Sequence, residues 1–206
     1  MTHPSSAPAE IGMLCLGDSY TIGEGVQPGE RWCDELARSL REHGVAVVSP
    51  TIVARTGWTT DELSEAIDAA RPTGPFALVT LLIGVNDQYR GRAVSEFRRR
   101  FAQLLARAVA FADDHAERVL VLSIPDWGVT PFAAGRDRWA IAGEIDAFNK
   151  AVRDETAKTA AHFVDITPLS RSAEAKTQIV ADGLHPSATM YAEWARLALP
   201  AALGAL

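Results

Sequence analysis

The run Phe76-Ala77-Leu78-Val79-Thr80-Leu81-Leu82-Ile83 constrains the fold more than any other stretch of this chain. It is apolar at nearly every position, so a strand built from it can turn neither face to water. Such a strand belongs inside a sheet that is covered on both sides, which favours a parallel sheet flanked by helices. The rest of the chain supplies that setting. Met13–Gly17, Val45–Ser49 (extending at most to Val53), Val119–Ile124 and Phe163–Ile166 read as further short strands. Helical patterns lie between them. Arg31–His43 puts Trp32, Leu36 and Leu40 on one face. Thr59-Thr60-Asp61-Glu62 is a capping box that opens a helix carrying Leu63 and Ile67 and ending before Pro72. Ser95–Asp114 turns Phe97, Phe101, Leu104 and Ala108 inward, with Phe111 or Ala112 following. Trp139–Ala160 turns Ile141, Ile145, Phe148 and Val152 inward. Ser187 caps a last helix that buries Tyr191, Trp194 and Leu197. Pro125–Arg138 is irregular. Thr167–Pro186 is loop-like apart from a turn near Ser172–Lys176.

Five strands alternating with helices predict an α/β fold, a single-domain three-layer α/β/α sandwich around a five-stranded parallel sheet. Right-handed crossovers leave few topologies. The flavodoxin-like order 2-1-3-4-5 is the expected one, and it places a ligand outside the carboxyl ends of strands 1 and 3, where the strand order reverses. With 206 residues, one domain over 11–206 is expected, behind a polar, flexible lead-in over 1–10. That lead-in has no basic segment followed by an apolar one, so it is not a secretory signal, and a cytoplasmic location is favoured. No apolar run approaches the roughly 18 residues a membrane span needs. A net charge of -6 argues against a nucleic-acid groove, and Arg98-Arg99-Arg100 reads as a solvated helix face. Cys15 and Cys33 read as free buried thiols. His3, His43, His115, His162 and His185 show no metal-site spacing, so neither a metal nor a cofactor is expected. Gly23-Glu24-Gly25 lacks the spacing of a dinucleotide loop, and no phosphate-loop motif is present. Nothing in the sequence specifies an oligomeric state.

Unusual residues fall at the predicted carboxyl ends. Gly17-Asp18-Ser19-Tyr20 follows strand 1, Arg55-Thr56-Gly57-Trp58 follows strand 2, and Gly84-Val85-Asn86-Asp87 follows strand 3. Asp182-Gly183-Leu184-His185 precedes the last helix. Taken singly, each has a plain structural use as a cap or a turn. Together they offer a hydroxyl nucleophile, a base, a carboxylate beside the base, and donors for an oxyanion.

In these four blocks, in this order, the chain resembles the SGNH hydrolases, also called GDSL esterases and lipases, with Tyr20 where the family nickname has Leu. The resemblance spans residues 17 to 185. It implies that Ser19 attacks an ester carbonyl, that His185 is the base and then the acid, and that Asp182 orients the imidazole. It also implies that the backbone N–H groups of Ser19 and Gly57 and the side-chain amide of Asn86 hold the oxyanion. Asp87 and Asp126 compete for the orienting role, but neither has the close pairing with His185 that the three-residue spacing gives Asp182. Asp18 is expected to brace the turn after strand 1.

For the pocket, Trp58 stands beside the oxyanion glycine. Trp127 and Phe132 either form a stiff wall or anchor their loop to the core, and Tyr89 and Arg90 could line the mouth. The expected activity is cleavage of carboxylic esters with small or medium acyl groups, on a small-molecule substrate. The same machinery would serve a carbohydrate O-deacetylase, a thioesterase or a lysophospholipase. A catalytically silent binding domain is the alternative from another class.

Overall fold

The computed structural model describes residues 10–206. Most of the lead-in expected over 1–10 therefore lies outside the described residues. Five strands, β1 (Met13–Gly17), β2 (Thr51–Ala54), β3 (Leu78–Leu82), β4 (Val119–Leu122) and β5 (His162–Val164), form one sheet in the order β2-β1-β3-β4-β5. Every neighbouring pair is parallel. The three inner strands are buried at every position, whereas the edge strands β2 and β5 are only partly so. This is why the inner strands read as unbroken apolar runs.

Helices cover both faces. α2 (Trp32–Glu42) packs against α8 (Ala188–Ala205), while α5 (Val94–Phe111) packs against α3 (Thr60–Ala70) and α6 (Arg138–Thr156). Trp32, Tyr191 and Trp194 are among the largest fully buried side chains. Truncating a buried tryptophan to alanine costs about 3–5 kcal/mol. The capping box forms as expected, with Thr59 and Glu62 each serving the other's backbone N–H. Ser187 caps α8 through Met190 N–H. Among the described residues no helix is long and apolar enough to cross a membrane.

Two expectations need correction. The second strand is Thr51–Ala54, not Val45–Ser49; Val47 forms only an isolated bridge with Ile11. Pro50 lies between the two segments and has no N–H to give the ladder, so pairing stops at Val48 and resumes beyond it. The stretch expected to be loop-like also contains a short helix, α7 (Thr167–Ser170), while the turn expected near Ser172–Lys176 forms as a 3-10 turn over Glu174–Thr177.

Candidate active site

The carboxyl end of β1 turns abruptly because Gly17 permits it. A Cβ there would strike Thr21 and come within 2.5 Å of the Leu82 carbonyl oxygen on the neighbouring strand. A one-turn helix, α1 (Ser19–Ile22), follows. Asp18 caps it by accepting Tyr20 N–H at 3.0 Å, which leaves Ser19 as its first residue. Asp18 is fully buried, and its second oxygen, Oδ2, has no hydrogen-bond partner among the described residues. Burial pushes its carboxyl up to about 8, opposed by the Tyr20 hydrogen bond and reinforced by the Asp87 charge. The bracing role expected of Asp18 is thus met by a carboxyl that is largely protonated at neutral pH.

A second short helix, α4 (Val85–Tyr89), carries Asn86 at the end of β3. It grips the loop after β2 at three points. Asn86 Nδ2 donates to the Trp58 carbonyl at 2.9 Å, and Arg90 donates to the Gly57 carbonyl at 2.7 Å. Asp87 accepts both the backbone N–H and the hydroxyl of Thr60, at 2.9 and 2.8 Å. Burial raises the Asp87 carboxyl pKa, although the Thr60 bonds and Arg92 oppose it. Gly57 holds φ at 86°, a conformation that strains any residue with a Cβ. With its carbonyl engaged by Arg90, the Gly57 N–H has no protein acceptor among the described residues, and neither does that of Ser19.

The turn before α8 brings in the histidine. Asp182 Oδ1 accepts Leu184 N–H at 2.8 Å and His185 N–H at 2.9 Å, while Oδ2 lies 2.6 Å from His185 Nδ1. That contact assigns the Nδ1 proton, because a carboxylate can only accept, and it leaves the Nε2 lone pair free. Burial pushes the Asp182 carboxyl up, but the His185 ring and the two backbone N–H groups outweigh this and hold it below the usual carboxylate range. The imidazole meets the Tyr20 ring edge-on at 5.6 Å between centroids, and Tyr20 in turn rests on Trp194 of α8.

Ser19, Tyr20, Gly57, Asn86 and His185 all line one cavity of about 160 Å³. Tyr89, Trp127 and Phe132 form part of its wall. Among the described residues no hydrogen bond joins the Ser19 hydroxyl to the imidazole; such bonds are often long before substrate binds. Ser19, Asn86 and His185 come from three separate segments, and Asp182 reaches the group only through His185.

A sequence profile of the GDSL-like lipase/acylhydrolase family matches residues 15–193. The chain belongs to this family. Among solved structures, TesA superposes with a TM-score of 0.74 at 21% identity, covering 95% of this chain and 99% of that one. The psychrotrophic esterase EstA from Pseudoalteromonas sp. gives 0.70 at 17% identity, covering 92% and 95%. AlinE4, an SGNH-hydrolase family esterase, gives 0.68 at 22%, covering 98% and 99%. At these identities the likeness is one of fold. No curated protein matches the sequence.

Within this GDSL-family chain, the two carboxylates that compete with Asp182 are otherwise engaged. Asp87 serves Thr60 and Arg92, and Asp126 caps the turn at Trp127–Val129 and pairs with Arg171 at 2.8 Å. Trp58 is not among the cavity-lining residues: its side chain packs against the core and its carbonyl receives Asn86. Trp127 does both things expected of it. It lines the cavity, and its Nε1 is anchored to Gln88 at 2.8 Å. Arg136, beside this wall, carries no local signature in the sequence, because its partners come from three separate positions. Among the described residues no cluster of three or more His, Cys, Asp or Glu side chains could hold a metal ion.

Proposed function

We propose that the protein is a serine hydrolase of carboxylic esters with short acyl groups. The observation that carries this reading is the placement of His185, gripped by Asp182 at 2.6 Å, in the same cavity as Ser19, Gly57 and Asn86. Ser19 Oγ attacks the ester carbonyl carbon as His185 Nε2 takes the hydroxyl proton. The carbonyl oxygen becomes an oxyanion facing the N–H groups of Ser19 and Gly57 and the free amide proton of Asn86. Collapse breaks the bond to the alkoxy oxygen, which leaves with the proton from Nε2, and the acyl group stays on Ser19. Water then attacks, giving its proton to Nε2. The second collapse releases the carboxylic acid and returns that proton to Ser19.

Each group is held for its role before substrate arrives. One amide proton of Asn86 is committed to the Trp58 carbonyl, which fixes the direction of the other. The Asp182 carboxylate holds the tautomer that leaves Nε2 basic and stabilises the imidazolium that forms. The cavity, at about 160 Å³, is close to the ~150 Å³ that accommodates benzene, and this favours short acyl groups.

Hydrolysis of para-nitrophenyl acetate by the wild type and by Ser19→Ala tests the reading. The variant should lose at least about a thousandfold in kcat. An inactive wild type, or an equally active variant, would instead favour a binding domain.

A further inference from the structure

Tyr89, Trp127 and Phe132 stand in mutual contact on the cavity wall, with ring centroids 5.5 to 6.2 Å apart. The guanidinium of Arg136 lies over all three. Its Cζ is 5.1 Å from the Tyr89 centroid, 5.2 Å from Trp127 and 5.3 Å from Phe132. One Nη also donates to the Tyr89 hydroxyl at 3.0 Å. The segment bearing it is tied to the His185 turn, because Phe132 N–H donates to the Gly183 carbonyl at 2.9 Å. Like Arg55 and Arg138, Arg136 pairs with no carboxylate among the described residues; what sets it apart is its seat over three rings of the cavity wall. Its remaining N–H groups therefore carry a positive charge that no carboxylate compensates, held against three rings that line the cavity containing Ser19; Arg136 itself stands behind this wall and is not one of the lining residues.

A planar, fixed guanidinium recognises carboxylate and phosphate groups by paired N–H bonds. The chain as a whole carries a net charge of -6, so its general field does not draw anions in. A local cation beside an apolar cavity supplies what that field lacks. The geometry points to Arg136 as a specificity residue that binds an anionic group, carboxylate or phosphate, carried by the ester whose carbonyl reacts at Ser19. The inference rests on the hydrolytic reading above. A guanidinium serving only to cover the rings would affect charged and neutral esters alike.

Arg136→Gln keeps a donor for the Tyr89 hydroxyl and removes the charge from an exposed position. Two matched pairs of esters locate the anion. Mono-para-nitrophenyl glutarate against para-nitrophenyl valerate places the charge on the acyl side. Para-acetoxybenzoate against para-acetoxybenzamide places it on the alcohol side. The wild type should prefer the charged member of one pair. The variant should lose roughly 10- to 100-fold in kcat/KM on that member, mainly through KM. Its neutral partner should stay within about twofold. Equal losses on charged and neutral members, or no wild-type preference in either pair, overturn the inference.

Binding of benzoate against benzamide, followed by calorimetry, puts the same question without turnover. If the wild type hydrolyses nothing yet binds benzoate more tightly, and Arg136→Gln abolishes the difference, the anion site stands and the hydrolytic reading falls. Equal binding of the two, with no hydrolysis, removes both.

Discussion

Asp182 Oδ1 accepts the backbone N–H of His185 at 2.9 Å while Oδ2 holds the Nδ1 of the same residue at 2.6 Å. One planar carboxylate thus fixes both the main chain and the ring of the histidine. The three-residue spacing makes this possible, because Gly183 turns the chain back at a φ of 73°. With the carboxylate anchored by the two backbone N–H groups, Oδ2 is already aimed at Nδ1.

Asp182→Asn separates these two duties. The amide oxygen can still accept the backbone N–H groups. The amide nitrogen, placed opposite Nδ1, donates to it and forces the ring proton onto Nε2, so the base is lost. We expect kcat to fall by about 10⁴-fold, the scale of the same exchange in a serine protease. The melting temperature should hardly move. A loss below tenfold, in steady-state assays on folded protein, would show that Asp182 does not set the tautomer.

Asn86→Ala removes one of the proposed oxyanion donors and leaves the Trp58 carbonyl without its partner. The expected loss is about 10²–10³ in kcat with KM little changed. Stability should drop by about 1 kcal/mol. A raised KM with kcat intact would mean that the amide contacts the substrate in its ground state instead.

Asp18 makes stability depend on pH. Its folded carboxyl titrates near 8, against the usual 3.8, so between these values the folded chain holds a proton that the unfolded chain has released. Its favourable share of stability is complete below about pH 4 and is lost as pH rises towards 8, by up to about 1.4 kcal/mol per pH unit. Asp18→Asn keeps the acceptor for Tyr20 N–H and cannot ionise. Urea denaturation across this window should show the variant without that decline and more stable than wild type at pH 8. Parallel curves for the two proteins would place the titration elsewhere.

The inner strands were legible because burial on both faces leaves a continuous apolar run, as in Phe76–Ile83. The start of β2 was not, because Val45, Val47 and Val48 have good strand propensity and the interruption comes from one missing N–H at Pro50. Ser19, Asn86 and His185 could be found because each sits at the end of an element in a short polar motif. Trp58 shows the limit of adjacency: next to Gly57 in sequence, it turns its side chain to the core and offers the site only a carbonyl. Asp87 stands in the sequence as a competing carboxylate and Arg90 as a mouth residue, but their partners at Thr60 and Gly57 lie across the fold. Arg136 depends on rings from positions 89, 127 and 132, and no local pattern encodes that meeting.

On the proposed function, the cavity volume predicts a preference for short acyl chains. Across a series of para-nitrophenyl esters, kcat/KM should be highest for short chains and fall beyond roughly six carbons, when the chain outgrows a benzene-sized space. A steady rise through the long chains would mean that the wall of Trp127 and Phe132 opens.

The pairing of Ser19 with His185 as nucleophile and base is tested most directly by trapping. An activated ethylphosphonate ester presents a tetrahedral phosphorus to a serine made nucleophilic by an adjacent base, and it should modify this protein. Peptide mass spectrometry of the treated wild type should find a single adduct, on Ser19, forming at least about a thousandfold more slowly in His185→Ala. An adduct on another residue, or equal labelling rates with and without the imidazole, would contradict the account.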